Sequence, residues 1–514
     1  MNGAESLVRT LLSSGIEVCF ANPGTSEMHF IAALDKVAGM RCALGLFEGV
    51  ATGAADGYFR MTGKPACTLL HLAPGLANGL SNLHNAKKAR SGIVNIVGQH
   101  ATYHLNYDAP LSGDIEGVAK PMSHWVRTSM SSSAVASDGA AAVQAARSTP
   151  GQIATLILPA DASWGPADEV AVAHAPALPQ PVSPDTVTAV AKALRAGGPT
   201  VMLLGGAALR GKALEWAGRI AAKTGCKIMS EGQNARLERG AGRVKLDRLP
   251  YDVPGAVAAL KGVGRVILVG AKTPVAFFAY PDQPSLLMPK ECEVTTLAQG
   301  EHDIEGALEE LAHELGASAT VPAIAELNKP ALRTGKVTPE GIAAVVGALM
   351  PEYAVVVDES ISMGRGFFPV TVNAAPHDWM NSMGASLGYA LPVAIGAAVA
   401  APDRKVIAIV GDGSAMYTLQ ALWTMAREGL DVTIVILANR SYNILRSELE
   451  KIGVGAPGRT ALDMLTLDKP NLDWVALAKG HGVASSRAHN LEDLATELSR
   501  GLASDGPHLI ELVI

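Results

Sequence analysis

The sequence predicts an α/β protein of three doubly wound domains with parallel sheets. Apolar strand-like runs alternate with helix-like segments along the chain, a pattern typical of parallel sheets covered by helices on both faces. A length of 514 residues fits three domains at roughly 150 residues each. A proline-rich tract without periodicity, AHAPALPQPVSP at 173–184, is interpreted as a linker. We therefore predict domains at residues 1–172, 185–330 and 340–514.

The strand candidates follow in order. The first domain contains EVCFANPG, ACTLLHLAPG, GIVNIVGQ and ATLILPA, and the second contains TVMLLGG, RVILVG and EVTTLAQG. The third contains AVVVDES, KVIAIVGDG, VTIVILANRSY and HLIELVI. The N-terminal segment is predicted to be an amphipathic helix rather than a signal peptide, because Glu5 and Arg9 interrupt its apolar block. The apolar segment 389–402 is short for a membrane span and contains Pro392, so we predict a buried helix.

Composition limits the classes of function. Hydrophobic residues make up 48% of the chain and charged residues 18%, which is typical of a globular protein with a large core. A net charge of -6 predicts no basic face for nucleic acid. The five cysteines form no CxxC pair, so we predict neither disulfides nor a structural zinc site. These features fit the reducing cytoplasm, without a membrane partner.

The segment VIAIVGDGSAMYTLQ, residues 406–420, places Asp412 between two glycines where a buried strand passes into a helix. Such a turn alone also fits an aspartate capping a helix. A dinucleotide-binding fingerprint requires a third glycine at position 416, where this chain has Met416, so the segment does not match that fingerprint. GAALRGKA at 206–213 nearly matches a triphosphate-binding loop, but Ala213 occupies the hydroxyl position, which favours a plain helix start.

A second polar residue supports a phosphate role for this turn. Asn439 ends the next strand, 27 residues after Asp412. The carboxyl ends of parallel strands meet at one edge of a sheet, so the two side chains are expected to lie close together. Magnesium prefers oxygen ligands. We predict a magnesium site formed by Asp412, Asn439 and the main chain at Ser441, completed by phosphate oxygens.

GDGS, followed at this spacing by a strand that ends in asparagine, resembles the diphosphate–magnesium motif of thiamine-diphosphate enzymes. The family pattern ends in two asparagines, and this chain has Ala438-Asn439, which keeps the family's metal ligand. The resemblance implies pyrimidine-binding, middle and diphosphate-binding domains. It also implies diphosphate contacts from Gly411, Asp412, Gly413 and Ser414.

The segment FEGVATGAADGYFRMTGKPA, 47–66, supplies the other half of the resemblance. In the family the residue matching Glu48 hydrogen-bonds the aminopyrimidine ring and promotes the tautomer that removes the thiazolium proton. The alternative interpretation of Glu48 is a glutamate at the start of a helix, where its negative charge interacts favourably with the helix dipole. SLGYALP places Leu387 where the family has an apolar residue beneath the cofactor, although a leucine is by default core. The resemblance implies a homodimer or homotetramer with active sites at the subunit interface.

The loops NPGTSE, 22–27, and HLAPGLANGLSN, 71–82, resemble those of benzoylformate decarboxylase. His71 matches a catalytic histidine, which binds a carboxylate or moves a proton, and Thr25 matches a serine. The alternative for His71 is capping of the following turn. The candidate cofactor contacts beyond those above are Asn78, Glu359 and Ser360, the last two from VVVDESIS.

The middle-domain segment GAKTPVAFFAYPDQP, 270–284, has no histidine where that decarboxylase has its second one. Without this proton donor, attack on a second carbonyl is favoured over release of an aldehyde, and the chain also resembles acetolactate synthase large subunits. The sequence therefore predicts thiamine-diphosphate- and Mg²⁺-dependent decarboxylation of a 2-oxo acid followed by carboligation. The alternatives are simple decarboxylation, a catalytically silent cofactor-binding homologue, and a Rossmann dehydrogenase.

Two further substrate-contacting residues and one further cofactor are candidates from the sequence. His100 and His104 lie at the presumed entrance and lack a third metal ligand, so we interpret His100 as a substrate residue. Phe367 is a second substrate candidate. Glycines 205 and 206 resemble the start of the flavin-binding middle domain of biosynthetic acetolactate synthases, but no specific flavin pattern follows. Binding of FAD therefore stays possible but is not indicated by the sequence.

Overall fold

A computed structural model describes residues 1–453 and 457–514 and contains three sheets flanked by helices, which confirms the α/β prediction. The strands are β1 (Val18–Asn22), β2 (Arg41–Leu44), β3 (Ala66–Leu70), β4 (Ile93–Gln99), β5 (Trp125–Thr128), β6 (Ile153–Pro159), β7 (Thr200–Leu204), β8 (Lys227–Ser230), β9 (Leu237–Arg239), β10 (Asp247–Arg248), β11 (Arg265–Val269), β12 (Glu293–Ala298), β13 (Ala354–Glu359), β14 (His377–Asn381), β15 (Val406–Gly411), β16 (Val432–Ala438), β17 (Ala484–Ala488) and β18 (His508–Val513).

The helices cover both faces of the sheets. They are α1 (Gly3–Ser13), α2 (Met28–Lys36), α3 (Glu48–Thr62), α4 (Leu72–Ala89), α5 (Ile115–Ala119), α6 (Val135–Ala146), α7 (Ala160–Trp164), α8 (Pro184–Arg195), α9 (Gly211–Thr224), α10 (Val253–Ala259), α11 (Ile304–Glu314), α12 (Pro339–Leu349), α13 (Phe367–Val370), α14 (Ala390–Ala400), α15 (Asp412–Ala415), α16 (Ala421–Glu428), α17 (Asn443–Lys451), α18 (Arg459–Asp463), α19 (Trp474–Gly480) and α20 (Leu491–Ala503). Over residues 1–453 and 457–514, no helix has the length and apolarity needed to cross a bilayer.

The three sheets follow one another along the chain. The first has the parallel order β2-β1-β3-β4-β6-β5, and the second has the parallel order β10-β8-β7-β11-β12. The third has the order β17-β18-β16-β15-β13-β14-β9 and is parallel except for β9, which pairs antiparallel with β14. Segment 185–330 therefore contributes an edge strand to the third sheet. The domain limits themselves stay predictions.

All eleven predicted runs are strands, and the seven other strands in the described part of the chain lie at or next to sheet edges. Examples are β2 and β5, which form the two edges of the first sheet and contain exposed or half-exposed residues. Edge strands need no continuous apolar run, because one side and part of a face remain open to water. Their sequences therefore lack the signal that reveals buried parallel strands.

Helices α3 and α14 pack with their backbones in close contact. A Cβ atom added at Gly396 would lie 1.9 Å from the carbonyl oxygen of Ala54, and one at Gly57 would lie 2.2 Å from that of Val393. Glycine is therefore required at both positions by the neighbouring backbone, which cannot move aside cheaply. The contact joins the first domain to the third.

A buried ion pair lies at the end of the same contact. Arg60 and Asp56 are 2.7 Å apart with about 1% of each side chain exposed. Arg60 also donates to the hydroxyl of Tyr389 at 3.1 Å and to the carbonyl of Asn381 at 2.8 Å. Each charge is satisfied by several partners, as burial requires. This network fixes α3 against the segment that leads into α14.

We expect Gly57→Ala and Gly396→Ala each to lower the free energy of unfolding by about 1–3 kcal/mol, because the methyl group overpacks a backbone contact. Urea unfolding followed by circular dichroism measures the change. Gly480→Ala, at the last residue of α19, is the control: nothing lies within 4 Å of the added methyl group, so the free energy of unfolding is expected to change by no more than about 0.5 kcal/mol. Equal effects at all three sites would contradict the packing argument.

Candidate active site

Asp412 is the first residue of α15, directly after the end of β15, and is 3% exposed. One carboxylate oxygen accepts the N–H of Gly413 at 2.8 Å, and the other accepts the N–H of Arg440 at 2.7 Å. Burial raises the pKa of Asp412, and these N–H donors lower it in part. The carboxylate is thus held by backbone dipoles and has no ion-pair partner among the described residues. A bound cation would supply the missing positive charge.

Asn439 and Ser441 follow β16, which pairs directly with β15. The Asn439 side-chain oxygen accepts the N–H of Ser441 at 3.0 Å, and the Ser441 hydroxyl donates to the carbonyl of Leu465 at 3.1 Å. Both residues line one cavity together with Asp412. A carboxylate, an amide oxygen and main-chain carbonyls are hard oxygen ligands, so this donor set fits Mg²⁺.

The structure brings most of the predicted cofactor residues together around this cavity. They are Ser360, Leu387, Gly411, Asp412, Gly413, Ser414, Asn439 and Ser441. In residues 1–453 and 457–514 no cluster of three or more His, Cys, Asp or Glu side chains forms a metal site. A magnesium ion at Asp412 therefore depends on neutral protein oxygens and on ligands from the cofactor.

Glu359, predicted as a cofactor contact, has a different set of partners. Its buried carboxylate accepts the N–H groups of Gly388, Tyr389 and Ala390, at 2.9, 3.3 and 2.9 Å, at the start of α14. Burial raises the pKa of Glu359 to about 7, against the lowering effect of these donors. Glu359 thereby positions the turn that follows Leu387.

Left-handed backbone conformations occur at non-glycine residues beside the candidate site. They are Leu72 (φ 52°), Ile361 (φ 49°), Ala385 (φ 56°) and Arg440 (φ 54°). Such conformations cost energy, above all at a β-branched residue such as Ile361. Strained backbone is often found where a binding site requires a fixed loop shape. The Arg440 conformation directs its N–H towards Asp412.

Glu48 begins α3 and is buried against α4. The side-chain amide of Asn78 donates to Oε2 of Glu48 at 3.0 Å. Gly75 lies so close that an added Cβ would be 3.0 Å from Oε1 of Glu48. The predicted pair of cofactor contacts, Glu48 and Asn78, is therefore one hydrogen-bonded unit, with Oε1 facing a gap left by glycine.

His71 ends the loop after β3 and contacts a glutamate that the sequence analysis did not select. Nδ1 of His71 lies 2.9 Å from Oε2 of buried Glu27, which also accepts the N–H of Gly24 at 2.7 Å. Ser26 Oγ is 3.3 Å from the same Nδ1. Thr25, the predicted catalytic residue, is exposed. The sequence did contain a signal for Glu27, because it is the only acidic residue of the loop NPGTSE that precedes α2.

The two remaining substrate candidates lie apart from these contacts. Phe367 is 1% exposed and packs against Trp379 with ring centroids 5.4 Å apart. It is a core residue, which does not fit the predicted substrate role. His100 follows β4, and its ring lies 5.6 Å from that of His104. Its Nε2 is buried and has no hydrogen-bond partner in the described part of the chain.

The fold and these loops define a thiamine-diphosphate-binding enzyme. The model "Thiamine pyrophosphate enzyme, N-terminal TPP binding domain" matches residues 1–124, and "Thiamine pyrophosphate enzyme, C-terminal TPP binding domain" matches residues 366–512. Thiamine pyrophosphate is another name for thiamine diphosphate. The chain belongs to this enzyme family, and thiamine diphosphate is its cofactor.

Relatives narrow the type of enzyme. The chain is 51% identical to IlvX of Mycobacterium tuberculosis, over 100% of this chain and 99% of the relative. The name of that relative describes it provisionally as an acetolactate synthase large subunit. It is 31% identical to benzoylformate decarboxylase of Pseudomonas aeruginosa, over 97% and 96% of the two chains. The solved 4-hydroxybenzoylformate decarboxylase of Rhodococcus jostii RHA1 superposes with a TM-score of 0.88, at 25% identity, over 99% and 98%.

We expect Asp412→Asn to weaken Mg²⁺-dependent binding of thiamine diphosphate about 100-fold, because the amide carries no charge for the metal. Isothermal titration calorimetry with and without Mg²⁺ measures the effect. Asp403→Asn, at an exposed position, is the control and should bind normally. If Asp412→Asn retains both the affinity and its dependence on Mg²⁺, the metal role of Asp412 is wrong.

Proposed function

We propose that the protein is a Mg²⁺-dependent enzyme that decarboxylates a 2-oxo acid and joins the remaining fragment to a second carbonyl compound. Thiamine diphosphate, when bound, supplies an electron sink for loss of carbon dioxide. The donor oxygens of Asp412, Asn439 and Ser441 would hold Mg²⁺, which would bind the diphosphate of the cofactor. Leu387 lines the same cavity and would pack against the bound cofactor.

Glu48 has the proton-handling role in this proposal. Asn78 donates to Oε2, so Oε1 remains free to share a proton with the pyrimidine ring nitrogen. Buried surroundings keep competing water away from this proton. The hydrogen bond from Asn78 fixes the orientation of the carboxylate, which a mobile surface glutamate could not maintain.

His71 is the proposed substrate-binding group. Its Nδ1 is occupied by Glu27, which leaves Nε2 available to hydrogen-bond the substrate carboxylate. The orientation of the ring is fixed by the buried Glu27 and by the strained backbone at Leu72, φ 52°. His71 is thus the substrate contact, and Glu27 positions it.

The observation that carries the carboligation proposal is the composition of the middle-domain loop at 270–284. It contains no histidine, and the Tyr280 hydroxyl donates to Glu448 Oε2 at 2.6 Å. Burial and the neighbouring Glu448 raise the pKa of Tyr280, which makes it a poor acid. If this loop supplies no proton, the fragment that remains after loss of carbon dioxide would be available to attack a second carbonyl compound.

Aldehyde release is the second candidate function. The Glu27–His71 pair favours it, because a histidine oriented by a carboxylate is suited to move a proton. The similarity to proteins named as benzoylformate decarboxylases points the same way. The two candidate reactions have the same steps up to loss of carbon dioxide. They differ in whether the remaining fragment is then protonated and released as an aldehyde or joined to a second carbonyl compound.

The complete site is proposed to form between two subunits of a homodimer or homotetramer. Glu48 does not line the cavity around Asp412 in this chain. Exposed apolar side chains flank both halves: Leu46, 46% exposed, precedes Glu48, and Tyr417, 53% exposed, follows the GDG turn. Burial of such side chains against a partner would stabilise the assembly and join the two halves.

Product analysis tests the reaction. The protein loaded with thiamine diphosphate and Mg²⁺ is given pyruvate and benzoylformate, separately and together, while carbon dioxide, aldehyde and 2-hydroxyketone are measured. We expect a 2-hydroxyketone or acetolactate in excess over free aldehyde. Aldehyde alone would replace carboligation by simple decarboxylation, and loss of carbon dioxide from neither acid would refute these substrates.

Glu48→Gln tests the proton-handling role. We expect turnover to fall at least 100-fold, because an amide cannot share a proton with the pyrimidine ring, while Mg²⁺-dependent cofactor binding stays within about threefold. Steady-state kinetics and calorimetry on one preparation measure both quantities. Glu17→Gln, at an exposed position, serves as control. Unchanged turnover in Glu48→Gln would refute the assignment.

A further inference from the structure

A cleft of about 520 Å³ lies where the first domain meets the middle domain. One wall is the last turn of α4, and others are the turns at 121–124 and 150–152. Lys272, from the loop after β11, reaches the cleft from the middle domain. None of the residues assigned above to the cofactor or the substrate lines it, so this cleft is separate from the candidate active site.

The cleft is strongly basic. Four side chains that are cationic at neutral pH line it, Lys87, Lys88, Arg90 and Lys272, and no Asp or Glu among the described residues does so. The chain as a whole has a net charge of -6, so its average composition does not produce this excess. The nearest ion pair to a lining cation joins Arg90 to Glu301 at 3.9 Å, which is weak and solvated.

The cations of the cleft are mostly free to bind a ligand. Lys87 donates to the carbonyl of Pro121 at 2.8 Å. Within the described ranges, neither Lys88 nor Lys272 has a carboxylate within 4.0 Å. The cleft also contains His84 and His124, and burial together with Lys87 and Arg90 lowers the pKa of His124. Two carboxylates lie behind the cleft, Glu301 at 3.9 Å from Arg90 and Glu231, which accepts the backbone N–H of Lys272 at 3.0 Å. They neutralise the positive charge of the cleft only in part.

A helix end alone does not explain this group. Cations in the last turn of α4 interact favourably with the helix dipole, which accounts for Lys87 and Lys88. Lys272 belongs to another domain and another element, and its charge adds repulsion at the same place. Like charges from separate elements repel one another, and a bound anion would relieve this repulsion.

We propose that this cleft binds a small oxyanion with two or more negative charges, such as a phosphate group. Lysine and arginine are the side chains that bind such groups in proteins, through charge-assisted hydrogen bonds. The volume admits a small phosphorylated molecule rather than a polymer. The proposed reaction does not require this anion, so the proposal for the cleft does not depend on the proposed function.

The test uses the holoenzyme, because bound thiamine diphosphate and Mg²⁺ occupy the diphosphate site. Inorganic phosphate is titrated at constant ionic strength, maintained with chloride, by isothermal titration calorimetry. We expect saturable binding at one site per chain. The double variant Lys88→Gln/Lys272→Gln should raise the dissociation constant at least tenfold, because two of the four cations are lost.

The matched control is Lys223→Gln/Lys336→Gln. Both lysines are exposed and lie outside the cleft, and this pair also removes two positive charges. It should leave phosphate binding within twofold of the original protein, with circular dichroism confirming that both variants are folded. Absence of saturable binding, or equal weakening in the two double variants, would overturn the proposal.

Discussion

The backbone contact between α3 and α14 is the constraint on which the remaining arrangement depends. Glu48 begins α3, and Leu387 stands three residues before α14, so the helix pair sets where both half-sites begin. Glycines at 57 and 396 allow the close approach, and the buried Arg60 network fixes it. Two helices that touch through backbone atoms cannot slide freely, because close-packed atoms leave no compressible layer between them.

The candidate metal site illustrates how backbone dipoles prepare a carboxylate for a cation. Asp412 is buried and held by two N–H groups, one of which reaches it through the left-handed conformation of Arg440. The arrangement keeps the carboxylate in place, and no cation from the described residues pairs with it and competes with Mg²⁺. Its raised pKa is the cost of this burial, and bound metal would lower that pKa again.

The middle segment connects the other two parts of the chain in several ways. Its strand β9 extends the third sheet, and Tyr280 of its loop donates to Glu448 of α17, the helix that starts at the candidate metal site. Lys272 closes the basic cleft against the first domain. A loop with these attachments is held against both neighbours, so substitutions there affect loop position as well as pocket chemistry.

The sequence by itself determined the eleven predicted strands and the GDG turn with Asn439, because apolar runs and short-range spacing carry that information. Its motifs also resembled those of the family to which the chain belongs. Tertiary structure alone decided the partners of individual side chains. It paired Glu27 with His71, directed Glu359 to the start of α14, and enclosed Phe367 in the core. These contacts join residues distant in the chain, and their geometry follows from packing that local patterns do not encode.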